Sequence, residues 1–241
     1  RVRRHPYLSG GEDRQVNSAD LPAAGRMRTR QRMPSVTASA GLLMVALLAA
    51  CTGLPKVAPS YAVHDFGGPE PVAARSLGFP LRNVEVVVPP WLASTAMQYR
   101  LAYAQATRRQ AYVESRWAAQ PAQLVELALK RAIRTGEAGA GGACRLRVEL
   151  DEFAQVFDGE AVSRGVVEAR AVLLAPRTDQ IIASRSFSLA QPAPSADALG
   201  GVSALRGGVQ GLGSELFGWL DALDREGSAR SGGSLRSRCG A

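Results

Sequence analysis

One short segment removes the first 50 residues of this chain from any argument about its fold. Gly41-Leu-Leu-Met-Val-Ala-Leu-Leu-Ala-Ala-Cys51 is apolar until it ends on two alanines and a cysteine. Arg26, Arg28, Arg30 and Arg32 precede it. A basic stretch, a short apolar core and small residues at its end are the three parts of a secretory signal. A bilayer-spanning helix needs about 20 apolar residues. Pro34, Ser35, Thr37 and Ser39 cut the run short on one side, and Thr52, Pro55 and Lys56 on the other. A core helix should carry an amphipathic stripe. This run is apolar all round and lies between Arg-rich and Pro-rich segments.

The end of the run, Leu48-Ala49-Ala50-Cys51, resembles a bacterial lipobox. The resemblance implies cleavage before Cys51 and a diacylglyceryl group on its sulfur. Buried acyl chains hold a protein to a membrane with about 0.8 kcal/mol per methylene. Residues 27–50 are then the signal, since a start at Met27 or Met33 gives it normal length. Residues 1–26 have no hydrophobic period and read as a disordered leader or a mis-assigned start. Residues 51–60, with Gly53, Pro55 and Pro59, suit a semi-extended tether.

The net charge of +8 and pI near 10.1 suggest a nucleic-acid partner when taken alone. The distribution argues against it. Residues 1–50 hold eight arginines against Glu12, Asp13 and Asp20, and so carry +5 of the +8. Most of the excess charge lies in the part expected to be removed, so no nucleic-acid partner is expected.

From residue 61 the pattern changes to alternating strands and helical stripes. Tyr61, Val63 and Asp65 suggest a first short strand. Val84 to Val88 is β-branched and stops at Pro89-Pro90, as a buried strand would. Met97 to Arg100 reads as a short edge strand, and Ala111 to Glu114 as another extended piece. Pro121 opens a helix to about Thr135, because a proline suits the first helical turn. Leu124, Val125, Ala128, Leu129, Ala132 and Ile133 form its apolar face. A Gly/Ala loop over Glu137 to Ala143 follows. Leu146, Val148 and Leu150 alternate with charged residues, and Asp158-Gly159 signals a hairpin turn. Val167, Ala169, Ala171 and Leu173 line one face of the next strand, and Ile181 to Leu189 forms the last.

A final helix spans Asp197 to Leu223, on a stripe of Val202, Leu205, Val209, Leu212, Leu216, Leu220 and Leu223. Seven glycines interrupt it, from Gly200 to Gly218, each costing about 1 kcal/mol relative to alanine. Packing must hold this helix, or it breaks near Gly207-Gly208. The expected fold is α/β: one compact domain over 61–224, with a mixed, mostly antiparallel sheet and two main helices. The Gly/Ser/Arg tail, 225–241, is expected to be disordered.

The order of several motifs is similar to that of a known family. Tyr61-Ala-Val63 follows the lipobox, and Val84 to Val88 leads into Pro-Pro-Trp-Leu92 and Met97-Gln-Tyr-Arg100. Tyr112-Val-Glu-Ser-Arg-Trp-Ala118 runs into Pro121-Ala-Gln-Leu124. Arg145-Leu-Arg-Val-Glu-Leu-Asp-Glu-Phe153 comes before Asp158, Arg185-Ser-Phe187 and Phe217-Gly-Trp-Leu220. This resembles the ABC-type transport auxiliary lipoprotein family, which includes the paraquat-inducible intermembrane transport lipoprotein. The glycines of the last helix and the loop from Gly136 to Gly142 depart from its pattern.

The resemblance implies a compact α/β domain with a mixed sheet. It implies a periplasmic lipoprotein that partners an Mce-domain protein and an inner-membrane ABC transporter. It also implies outer-membrane attachment through lipid on Cys51, since Thr52, not Asp, follows the cysteine. A ring or other homo-oligomer is compatible with it. A periplasmic module that itself carries lipid is the rival function.

Catalytic chemistry has little to stand on. His5 and His64 are the chain's two histidines, and His5 lies in the leader. A base needs a positioned nucleophile, and none is evident beside His64. There is no Gly-x-Ser-x-Gly elbow, no zinc-type Cys/His spacing and no phosphate-binding Gly-Lys-Ser/Thr motif. The acidic residues Asp151, Glu152, Asp158 and Glu160 read as a solvated strand end. No catalytic, metal or cofactor residue is expected. Trp91, Leu92 and Trp117 are the candidate contacts to a partner or lipid, against the alternative that they are core. Cys144 and Cys239 can form a disulfide in an oxidising compartment, or remain apart if the tail is disordered.

Overall fold

The computed structural model describes residues 60–68, 75–134, 142–178, 180–229 and 234–240. The expected leader, the expected signal with Leu48, Ala49 and Ala50, the expected anchor Cys51 and nearly all of the expected tether lie outside them, as does most of the Gly/Ala loop. Among the described residues no helix is long and apolar enough to cross a membrane.

Three long antiparallel strands form the spine: β7 (Cys144–Gly159), β8 (Val162–Leu174) and β9 (Ile181–Pro192). Alternation sets which face is inward. Leu146, Val148, Leu150, Val167, Ala171 and Leu173 are fully buried, while Arg147, Asp151, Glu168 and Arg170 are exposed. The other edge of β7 takes two strands end to end. Strand β3 (Leu81–Val87) runs parallel to its first half, with Val84 beside Leu146. Strand β4 (Ala96–Leu101) runs parallel to its second half, with Tyr99 beside Gln155. Beyond β4 lie β5 (Gln110–Trp117), antiparallel to it, and β1 (Ala62–His64), parallel to β5. The sheet is mixed and seven-stranded, and its longest ladders are antiparallel. A separate two-residue pair joins β2 (Arg75–Ser76) to β6 (Ile133–Arg134).

Two strand expectations are corrected. Strand β4 is an interior strand, with Met97 fully buried, because β7 is long enough to pair with β3 and β4 in turn. The β7–β8 turn lies at Glu160-Ala161, since Gly159 already pairs with Val162. An irregularity between Phe157 and Gly159 carries the strand past Asp158, as a bulge does.

Between β4 and β5 lies one helical turn, α1 (Ala102–Gln105). Helix α2 (Pro121–Ala132) starts at its proline and buries Leu124, Val125 and Leu129. It stops short of Thr135 because Ile133 turns extended to join β6. Helix α3 (Ala198–Ala229) is 32 residues long and passes Gly207-Gly208 unbroken. Asp197 caps it: its Oδ1 accepts the Gly200 N–H at 2.8 Å. Leu205, Val209, Leu212, Leu216 and Leu220 are buried against the sheet. Two glycines show why a helix so poor in propensity is held here. A Cβ on Gly208 would lie 2.8 Å from Val167 Cγ2, and one on Gly165 of β8 would lie 2.7 Å from the Ala204 backbone. The missing methyl groups let helix and sheet approach closely, and the dense contact offsets the propensity cost.

The tail expectation is also corrected. Helix α3 runs on through Ala229, and Leu235–Arg238 forms a further turn, α4. Leu235 and Cys239 are buried, and Cys239 is bonded to Cys144 at the start of β7, with a Cα–Cα distance of 4.9 Å.

Candidate functional site

The Pro-Pro-Trp-Leu segment forms a tight 3-10 turn that splits its two apolar residues. Leu92 is 1% exposed and Trp91 is 56% exposed. The turn is mounted on a chain of polar side chains from β4, from β7 and from Arg109, the residue just before β5. Gln98 Nε2 donates to the Trp91 carbonyl at 2.6 Å. Arg109 Nη1 donates to Gln98 Oε1 at 2.8 Å and to Glu152 Oε1 at 2.7 Å, and its Nη2 donates to Glu152 Oε2 at 2.9 Å. Arg100 donates to the same Oε2 at 3.1 and 3.2 Å, and its Nη1 reaches the carbonyls of Ala106 and Thr107. The bidentate Arg109–Glu152 pair is the geometrically strict member.

Burial alone would raise the Glu152 pKa, but hydrogen bonds and charge from Arg109 and then Arg100 outweigh it and hold the carboxyl below its usual range. Glu152 is therefore an ionised clamp at neutral pH, with both oxygens occupied. Sequence reasoning did not group Gln98, Arg100, Arg109 and Glu152. Glu152 is separated from the two arginines by 52 and 43 positions, and the pairing of β4 with β7 and with β5 brings them together.

The three apolar contact candidates do not form one surface. Leu92 is in the core, and so is Trp117, at 2% exposure. Trp117 packs against Phe153 and Phe66, with ring centroids 5.5 and 5.8 Å away. Its place two residues beyond buried Ser115 on β5 directs it inward. Of the three, Trp91 alone offers a contact surface.

A buried polar relay lies near the start of α3. Tyr112 Oη donates to Gln155 Oε1 at 2.8 Å, and Gln155 Nε2 donates to Ser163 Oγ at 2.8 Å. Burial, followed by the nearby Tyr99 and Asp197, pushes the Tyr112 phenol well above its usual range. It is a fixed donor there. His64 Nε2 lies 3.4 Å from Ser115 Oγ, with no carboxylate bonded to its ring among the described residues. The acidic residues are separated: Glu152 faces its arginines, while Asp158 pairs with Arg164 at 2.9 Å. Among the described residues no group of His, Cys, Asp and Glu could hold a metal ion.

A groove of about 330 Å³ lies where α2 and α3 face each other. Phe66, Val209, Ala128, Ala132 and Gly213 give it apolar walls, and Arg75, Arg131 and Arg206 supply its charge.

Comparison with known proteins agrees with this architecture. A family model described as "ABC-type transport auxiliary lipoprotein component" matches residues 68–216. A crystal structure of a DUF330 protein from Xanthomonas campestris is similar, with a TM-score of 0.56 at 20% identity, covering 71% of this chain and 97% of that one. A second crystal structure, titled only as an uncharacterized protein, has a TM-score of 0.51 at 16% identity, covering 67% and 99%. At these identities the two structures share the fold. No curated protein matches the chain.

Proposed function

The chain belongs to the ABC-type transport auxiliary lipoprotein family, and from that premise we propose that it links an Mce-type ABC lipid or solute transport assembly to the outer membrane without acting as an enzyme. The observation that carries this is the family match across residues 68–216, the body that follows the cysteine-terminated signal pattern. Cys51 holds the membrane from its periplasmic face, residues 51–60 give reach, and the body from residue 61 onward meets the partner. Trp91 is the anchor residue of that contact. A half-exposed indole on a rigid turn loses little conformational entropy when it is covered, and such residues dominate binding energy at interfaces.

The rival function, a module that itself shuttles lipid, would need an enclosed apolar cavity. The space between the sheet and its helices is filled by Phe153, Leu150, Leu205, Leu212 and Leu216. That favours docking as the main role.

Co-purification from detergent-solubilised membranes tests the proposal. An Mce-domain protein should be recovered with the native chain. With Cys51→Ala, the body should leave the outer-membrane fraction while keeping affinity for the partner. Recovery of no Mce-domain protein by the native chain sinks the docking role. Intact mass showing an unmodified Cys51 sinks the anchor.

A further inference from the structure

Helices α2 and α3 meet through small side chains. Ala128 and Ala132 lie on α2, and a Cβ on Gly213 of α3 would sit 3.4 Å from Ala132 Cβ. Small residues bring the helix axes together at one level and leave space beside it. The result is the groove of about 330 Å³, flanked by Phe66 and Val209. That size is at the low end for small-molecule sites, which start near 300 Å³. One turn of a partner helix, about 5.4 Å long and about 10 Å across, would already overfill it. A thin flexible chain fits the dimensions better than a folded partner does.

Arginines supply the charge of the groove's described lining. Arg75, Arg131 and Arg206 line it, and the described lining holds no Asp or Glu. Arg131 is exposed, in the last turn of α2. The Arg75 guanidinium lies 5.3 Å from the Phe217 ring centroid, which orients it without neutralising it. Guanidinium groups match phosphate oxygens in geometry as well as charge.

We propose that this groove binds an exchangeable single-chain lipid with an anionic phosphate headgroup. The acyl chain lies along Ala128, Ala132, Val209 and Gly213, and the phosphate meets Arg75 and Arg131. The ligand is distinct from the covalent lipid on Cys51, so loss of this site would leave the docking role standing.

The test uses the purified full-length chain and dansylated undecanoic acid, a fluorescent single-chain anion, below its micelle concentration. Saturable binding is expected. Lysophosphatidic acid should displace the probe, and lysophosphatidylcholine of the same chain length should need about tenfold more or worse. Inorganic phosphate at equal concentration should displace nothing. Arg131→Glu should weaken binding at least about tenfold while lowering the melting temperature by no more than about 4 °C, because its side chain is exposed and the reversal opposes only the helix dipole. Ala128→Phe should abolish binding by filling the groove. Absence of saturable binding overturns the proposal, as does equal displacement by lysophosphatidylcholine, displacement by phosphate alone, or unchanged affinity in Arg131→Glu. If Ala128→Phe fails to fold, the lipid series and Arg131→Glu decide alone.

Discussion

Gly208 of α3 lies so close to Val167 of β8 that a methyl group on the glycine would sit 2.8 Å from Val167 Cγ2. Helix propensity and packing therefore make opposite demands at this position. Alanine would gain about 1 kcal/mol as a helix former. Overpacking a dense interface costs about 1–3 kcal/mol. Gly208→Ala is expected to lower stability in urea unfolding. Gly218, in the same helix, has nothing within 4 Å of a built Cβ. There the propensity acts alone, and Gly218→Ala should raise stability by up to about 1 kcal/mol. If both substitutions stabilise, close helix–sheet contact is not the reason for the glycines.

This pair also shows where sequence reasoning reached and where it stopped. The stripe from Val202 to Leu223 identified the long helix and its buried face, because period 3.6 is a local property. The reason for Gly208 was out of reach, because Val167 is 41 positions away and its approach is set by the sheet. Similarly, Val84 to Val88 was legible as a strand from β-branching alone. That β4 is interior was not, because its neighbour β7 is more than 40 positions distant in sequence. At the candidate site, Trp91, Leu92 and Trp117 stood as equal candidates, because residue type does not tell an exposed tryptophan from a core one. Burial separates them, and burial is tertiary.

The Glu152 clamp should be visible in acid. Its folded pKa lies below the ordinary value of 4.5, after the two arginines outweigh burial. A carboxylate with a lowered folded pKa adds stability that is fully present above its unfolded pKa and is lost as pH falls through the folded value. Glu152→Gln should cost about 1.5–3 kcal/mol at neutral pH, the range for hydrogen bonds to charged groups. The difference from the native chain should shrink below about pH 4.5. A constant difference from pH 7 to pH 3 would mean that the carboxylate's charge contributes nothing.

The bond between Cys144 and Cys239 closes a loop of 95 positions and ties α4 to the start of β7. Both residues are fully buried. Cys239→Ser should lower stability by about 2–5 kcal/mol. In unfolded protein, alkylation should label both residues only after reduction. Labelling of both without a reductant would show that the bond does not form in the isolated chain.

Trp91 and Trp117 should separate stability from binding. Trp117 lies against Phe153 and Phe66 at 2% exposure, so Trp117→Ala opens a cavity and is expected to cost about 3–5 kcal/mol. Trp91 keeps 56% of its surface exposed, and its link to the Gln98 chain runs through its backbone carbonyl. That hydrogen bond survives truncation of the side chain, so Trp91→Ala should change stability by no more than about 0.5 kcal/mol. If Trp91 is the contact residue, the same substitution should weaken partner recovery by about 2 kcal/mol, as loss of an interface aromatic does. Gln98→Ala adds a second arm, because it leaves the indole in place and removes the support of the turn. It should weaken recovery less than Trp91→Ala. Full-strength recovery by a folded Trp91→Ala protein would move the docking surface elsewhere on the body.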